Sequence, residues 1–140
     1  QALTSLGGQV DGVWAANDTN AAGVIKVLQD NNLKGVAVSG QDANVAGLQN
    51  ILLGWQTATV YKPVADEAAA AVDVAIALLS GEDVKADAKL DDGTPYIQVT
   101  PVLVGPNEVN DVVAAGDAAY DDVCTPDVMA ACEEFGVVAP

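Results

Sequence analysis

The chain has no histidine, and with it goes the commonest general base and metal ligand near neutral pH. Cations are scarce: 5 Lys and Arg stand against 20 Asp and Glu, a net charge of −15. A surface of that sign repels phosphate backbones, which argues against nucleic acid and anionic membranes as partners. Aromatic residues make up 4% of the chain, and no apolar run approaches the ~20 residues of a membrane span. An initiator methionine and a signal peptide are missing too. The chain opens at Gln1 in what reads as the tail of a helix, so a processed or truncated piece is expected. Nucleophile elbow, phosphate loop and metal cluster are all absent from the sequence, and no cofactor is expected.

What is present is small and apolar. Of 140 residues, 51% are hydrophobic, with Ala and Val carrying the bulk. That length allows one domain with a core, and that mix suits parallel strands under closely packed helices. Residues 10–16, 36–39 and 57–61 read as strands. Between them, Ala21, Val24, Ile25 and Leu28 fall on one helical face, with Asp18 or Thr19 as N-cap. Val45, Leu48 and Leu52 mark a second helix closed by Gly54. This order predicts an α/β fold built on a parallel, doubly wound sheet with right-handed crossovers. Pro63 then opens a long Ala-rich helix that Gly81 ends. Residues 82–94 read as a polar connector without the spacing of a calcium loop. Residues 96–104 read as a last strand broken by Pro101, and 107–115 as a short amphipathic helix. The acids of the last third read as a solvated face.

Polar residues stand where the apolar runs stop. VAVSGQDAN delivers Asp42 at a strand's carboxyl end, VDGVWAAN ends on Asn17, and TATVYK ends on Lys62. In open α/β sheets, ligands bind in the crevice at those ends. An amide, a carboxylate and an ammonium on one rim suit a neutral polyhydroxylated ligand, because they fix donors and acceptors in direction. Each residue also has a plainer reading. Asn17 would precede a helix cap, Asp42 would cap the next helix, and Lys62 would be a surface lysine. Trp14, Trp55 and Tyr61 read as packing residues.

Cys124 and Cys132 are the chain's two cysteines. Without histidine they make a poor zinc site. A disulfide is the better functional reading in an exported protein, against two buried thiols or bonds to cysteines elsewhere. Thr125-Pro126 looks like a helix start and Gly136 a stop, which sets Cys132 two turns up a helix. The pair then meets only if the chain doubles back.

The segments NDTNAAG, SGQDAN and TVYKP resemble the second half of type I periplasmic monosaccharide-binding proteins of ABC importers, most closely the xylose-type binders. The likeness covers roughly residues 10–116. It implies two α/β lobes joined by three crossovers, with sugar clamped between them. Residues 1–62 and 101–116 would then form part of the C-terminal lobe. Residues 63–100 would belong to or cross into the N-terminal lobe, most of which is absent, and 117–140 would be an acidic tail outside the family pattern. The family's sugar contacts fall on Asn17, Asp42 and Lys62. The implied partners are a monosaccharide, with D-xylose or a related aldose expected, the permease subunits, and the missing N-terminal lobe. The implied place is periplasmic, with a lipid anchor at a missing N-terminus as the further expectation, and the implied role is not enzymatic. The alternative is the sugar-sensing effector domain of a lac-repressor-like regulator.

Overall fold

Strands in this chain are only two or three residues long, so the sheet is stitched as much by side chains as by ladders. The computed structural model describes residues 1–140. They divide into two compact units, Gln1–Tyr61 with Val102–Pro140, and Lys62–Pro101.

In the first unit, α1 (Ala2–Ser5) leads to β1 (Gly12–Val13), α2 (Asp18–Asp30), β2 (Ala37–Val38), α3 (Val45–Leu52) and β3 (Thr59–Tyr61). The chain returns to this unit at β6 (Val102–Val104), a 3-10 turn (Pro106–Glu108), α5 (Val109–Ala114), α6 (Tyr120–Val123) and α7 (Met129–Glu134). β1 and β2 pair in parallel, with Val13 opposite Val38. A parallel bridge from Ser39 to Ala58 carries the pairing on to the β3 side. β3 pairs antiparallel with β6, Thr59 opposite Val104. The parallel part follows from helical crossovers, which return the chain in the same direction. β6 arrives from the second unit and runs the other way.

α2 forms because its apolar residues recur on one face: Ala21, Ile25 and Leu28 are buried, together with Ala15 and Val38. Burying each large aliphatic side chain contributes about 1.5–3 kcal/mol. The N-cap is Asn17, whose side chain accepts from the Asn20 amide. Asp18 and Thr19, expected as caps, are not. α3 is capped in the same way by Asn44, which accepts from Gly47.

A second core gathers Leu48, Ile51 and Leu52 of α3, Val104 of β6, and Val109, Val112 and Val113 of α5. Ala118, Val123, Cys124, Val128, Cys132 and Val137 complete it. Residues 117–140 are therefore core-forming, with their acids facing out. Thr125 O accepts from both Val128 and Met129 amides, a turn that doubles the chain back between α6 and α7. This turn brings the Cys124 and Cys132 Cα atoms to 6.0 Å, and the two form a disulfide. The helix expected to begin at Thr125-Pro126 starts only at Met129. Gln49 Nε2 donates to Asp122 O and Val123 O, tying α3 to α6. The Tyr61 hydroxyl donates to the Asp117 carboxylate.

The second unit holds α4 (Val64–Ser80), ended by Gly81 in the left-handed region at φ 71°. It also holds a hairpin of β4 (Ala88–Lys89) and β5 (Pro95–Tyr96). The segment read as a polar connector thus contains a strand, and the run read as one strand to Val104 breaks into β5 and β6. Asp92 Oδ1 accepts from the Thr94 amide across the hairpin turn. The Thr94 backbone and hydroxyl hydrogen bonds hold the Asp92 carboxyl below its ordinary 3.8. α4 buries none of its residues. Val72, Ile76 and Leu79, at i, i+4 and i+7, are all exposed. No helix is long and apolar enough to cross a membrane.

Candidate functional site

The site is built on the loop between β2 and α3, where four successive residues are each pinned by a backbone group. Gln41 O accepts from the Asp18 amide at 2.9 Å, and the Asp42 amide donates to Val60 O at 2.9 Å. The Ala43 amide donates to Thr59 Oγ1 at 3.3 Å, and the Asn44 amide to Asp18 Oδ2 at 3.0 Å. Under these bonds Asp42 sits at φ 96° and Ala43 at φ 50°. Non-glycine residues in that region carry about 1–3 kcal/mol of strain each and persist where surrounding structure over-determines them. Asp is among the residues that tolerate it best. Asp42 itself is exposed, while Ala43 beside it is buried.

Beneath the loop lies Asp18, fully buried. Its Oδ1 accepts from Gln56 Nε2 and from Thr59 Oγ1, both at 2.8 Å. Gln56 Nε2 also reaches Ala58 O at 3.2 Å. Two glycines give the carboxylate its room. A Cβ at Gly40 would stand 2.0 Å from Asp18 Oδ1, and one at Gly47 would stand 2.3 Å from Asp18 Oδ2. Ser39 Oγ accepts from the Ala15 amide at 3.1 Å and fastens the end of β1 to the end of β2. Short strands are in this way locked at their carboxyl ends by side chains.

Of the three residues expected at the rim, the structure brings the Asn17 and Asp42 segments together through the bond from Asp18 N to Gln41 O. Asn17 is half-buried and caps α2 with its oxygen, an engagement that leaves the amide nitrogen outside the cap. Asp42 does not cap α3, since Asn44 holds that position. Lys62 follows β3 directly, is half-buried, and opens the second unit. Trp14, read as a packing residue, is 90% exposed. Strand alternation explains it: Val13 and Ala15 turn to the α2 side and Trp14 to the other face. Trp55 does pack, half-buried against the α2 cluster, with Lys34 Nζ 5.6 Å from its ring centroid.

Asp18 is the residue that sequence reasoning missed. The available signal was the pair Gly40 and Gly47 flanking the loop, since two helix- and strand-end glycines mark a close approach. No group of three His, Cys, Asp or Glu is placed to hold a metal ion. A largely apolar groove of about 590 Å³ lies within the second unit, between α4 and the hairpin, lined by residues such as Ala70, Val74, Val84 and Ile97. Its polar side chains are Glu67 and Tyr96, against eight apolar lining residues. The β2–α3 loop presents the Asp42 carboxylate at the protein surface, a group whose charge strengthens any hydrogen bond it accepts.

Comparison with known proteins gives a consistent picture. A family model described as a periplasmic binding protein domain matches residues 1–83. The D-xylose-binding periplasmic protein of Escherichia coli (strain K12) is 42% identical over 116 residues, 80% of this chain and 35% of that protein. Its namesake in Haemophilus influenzae is 40% identical over the same lengths. A carbohydrate transporter solute binding protein from Chloroflexus aurantiacus, solved in complex with D-glucose, superposes with a TM-score of 0.71. It is 29% identical, with 81% of this chain and 35% of that chain covered. The chain thus spans about a third of the length of the curated relatives it matches, 35% in both xylose-binding proteins.

Proposed function

The chain belongs to the periplasmic binding protein domain family, and on that premise we propose that it is the sugar-binding part of an ABC-importer solute-binding protein. The ligand is a monosaccharide, D-xylose or a related aldose, which the full-length protein hands to membrane permease subunits. Asp42 accepts from two neighbouring sugar hydroxyls, the Asn17 amide donates to another, and Lys62 donates to a ring or hydroxyl oxygen. Residues 63–100 belong to or cross into the N-terminal lobe of the full-length protein. The protein carries out no catalytic step.

One observation carries this reading. Every residue from Gln41 to Asn44 is fixed by a backbone hydrogen bond, yet the side chain so presented, Asp42, is exposed at the carboxyl end of a strand. Strain held by that many bonds is the mark of a residue kept for ligand contact rather than for packing. The names of the two relatives at 42% and 40% identity support the choice of sugar. The Cys124–Cys132 disulfide supports an extracytoplasmic place over a cytoplasmic regulator. A lipid anchor on the full-length polypeptide is the finer part of this reading, and metabolic labelling with a fatty-acid analogue tests it.

Calorimetric titration of the full-length protein with D-xylose, D-ribose and D-glucose tests the whole. Saturable binding of xylose, at a free energy of about −8 kcal/mol for a micromolar site, is expected. Absence of binding by all three sugars overturns the proposal.

A further inference from the structure

Asp18 is the single charged residue buried in the molecule, and no step of ligand contact uses it. We propose that Asp18 is the positioning residue of the sugar site: it sets the backbone conformation in which Asp42 is presented. The inference rests on the reading of Asp42 as a sugar contact.

Two paths run from its carboxylate to the residues beside Asp42. Oδ2 takes the Asn44 amide directly at 3.0 Å. Oδ1 takes the Thr59 hydroxyl at 2.8 Å, and the same Thr59 oxygen accepts from the Ala43 amide at 3.3 Å. Ala43 and Asp42 are the two non-glycine residues of the loop at positive φ. They stay there only while their neighbours are tied. Cutting both paths frees the loop to relax to ordinary negative φ and turns the Asp42 carboxylate from its place.

The chemistry calls for a carboxylate of this length. Gln56 Nε2 and the Asn44 amide are donors only, so both oxygens beneath them must be acceptors. An asparagine would set an N–H₂ group against one of them. Glutamate adds a methylene where Gly40 and Gly47 already stand closer than a Cβ could tolerate. Asp18 also lies in the first turn of α2 and accepts from the amide of Asn44, the N-cap of α3, so it joins the starts of the two helices.

The test uses the full-length protein and the isosteric variant Asp18→Asn. Xylose affinity is expected to fall tenfold or more while melting stays cooperative. Because Asp18 acts through Asp42, the double variant Asp18→Asn/Asp42→Asn should bind little worse than Asp42→Asn alone. Unchanged affinity in Asp18→Asn, or losses that multiply in the double variant, overturns the inference. Should Asp18→Asn fail to fold, Thr59→Val cuts one path with little change of shape, and Thr59→Ser, which keeps the hydroxyl, restores it. A ligand-free arm measures hydrogen exchange at the Ala43 and Asn44 amides. Exchange at least tenfold faster at Ala43 in Thr59→Val, and at one or both amides in Asp18→Asn, with Thr59→Ser like wild type, supports the role. Unchanged exchange in both variants overturns it. If the wild-type protein binds no monosaccharide, the sugar reading fails, and the exchange arm still decides whether Asp18 holds the loop.

Discussion

Replacing Cys124 and Cys132 together with alanine should destabilise the first unit by about 2–3 kcal/mol. The two residues are 8 apart in sequence. A loop of about nine residues closed by a disulfide restricts the unfolded chain by about 2.6 kcal/mol in the chain-entropy model. Both cysteines are buried, Cys132 completely, so losing the sulfurs also leaves a small cavity among Val123, Val128 and Val137. For a unit of this size, about 4–8 °C of melting temperature accompanies each kcal/mol. The midpoint should therefore fall by at least about 8 °C. Thermal melts of the wild type, with and without reductant, and of the double variant supply the measurement. Hydrogen exchange locates the loss: protection should fall more at Val123, Val128 and Val137, around the disulfide, than at Ile25 and Leu28 in the other cluster. A midpoint within about 2 °C of wild type would refute the reasoning, since it would make residues 117–140 independent of their covalent staple.

Other expectations follow from single residues. Leu48 is fully buried in the second core, so Leu48→Ala should cost about 2–5 kcal/mol in urea denaturation, and a cost under about 1 kcal/mol would argue that this core is not formed. The Asp92 carboxyl lies below 3.8 because Thr94 donates to it. What that hydrogen bond gives the hairpin turn is therefore present above the ordinary value and lost as pH falls through the lowered one, and an NMR titration placing Asp92 at or above 3.8 contradicts it. Val72, Ile76 and Leu79 form an exposed apolar stripe on α4, so this chain alone should self-associate in sedimentation, and Ile76→Asp/Leu79→Asp should return it to a monomer. A monomeric parent chain with a strongly protected α4 would contradict that expectation.

The helices and strand ends were legible because their signals are local. Ala21, Ile25 and Leu28 share a face within ten residues, and the small-residue turn after Val38 marks where a strand stops. The Asp18 network was not legible. Its partners Gln56 and Thr59 stand 38 and 41 residues away, and an aspartate at a helix start has an obvious local reading as a cap. Asn17 and Asn44 took the caps instead, which freed Asp18 to turn inward. The last segment misled for a different reason. Ala118, Val123, Val128 and Val137 follow neither a 3.6 nor a 2.0 period, because they reach the core from short helices and turns rather than one regular face. The antiparallel direction of β6 depends on where the chain re-enters the sheet after forty residues, which no pattern within the strand records.

Asp42→Asn in the full-length protein tests the central claim most directly. Asparagine keeps the size and tolerates a φ of 96°, but exchanges one acceptor oxygen for a donor. Since Asn44 caps α3, the change leaves helix capping untouched, and stability should not move. A hydrogen bond to a charged group is worth about 1.5–3 kcal/mol, so calorimetric titration should show xylose affinity reduced by a factor of about ten or more with the melting temperature unchanged. Wild-type affinity for xylose retained in Asp42→Asn would contradict the account.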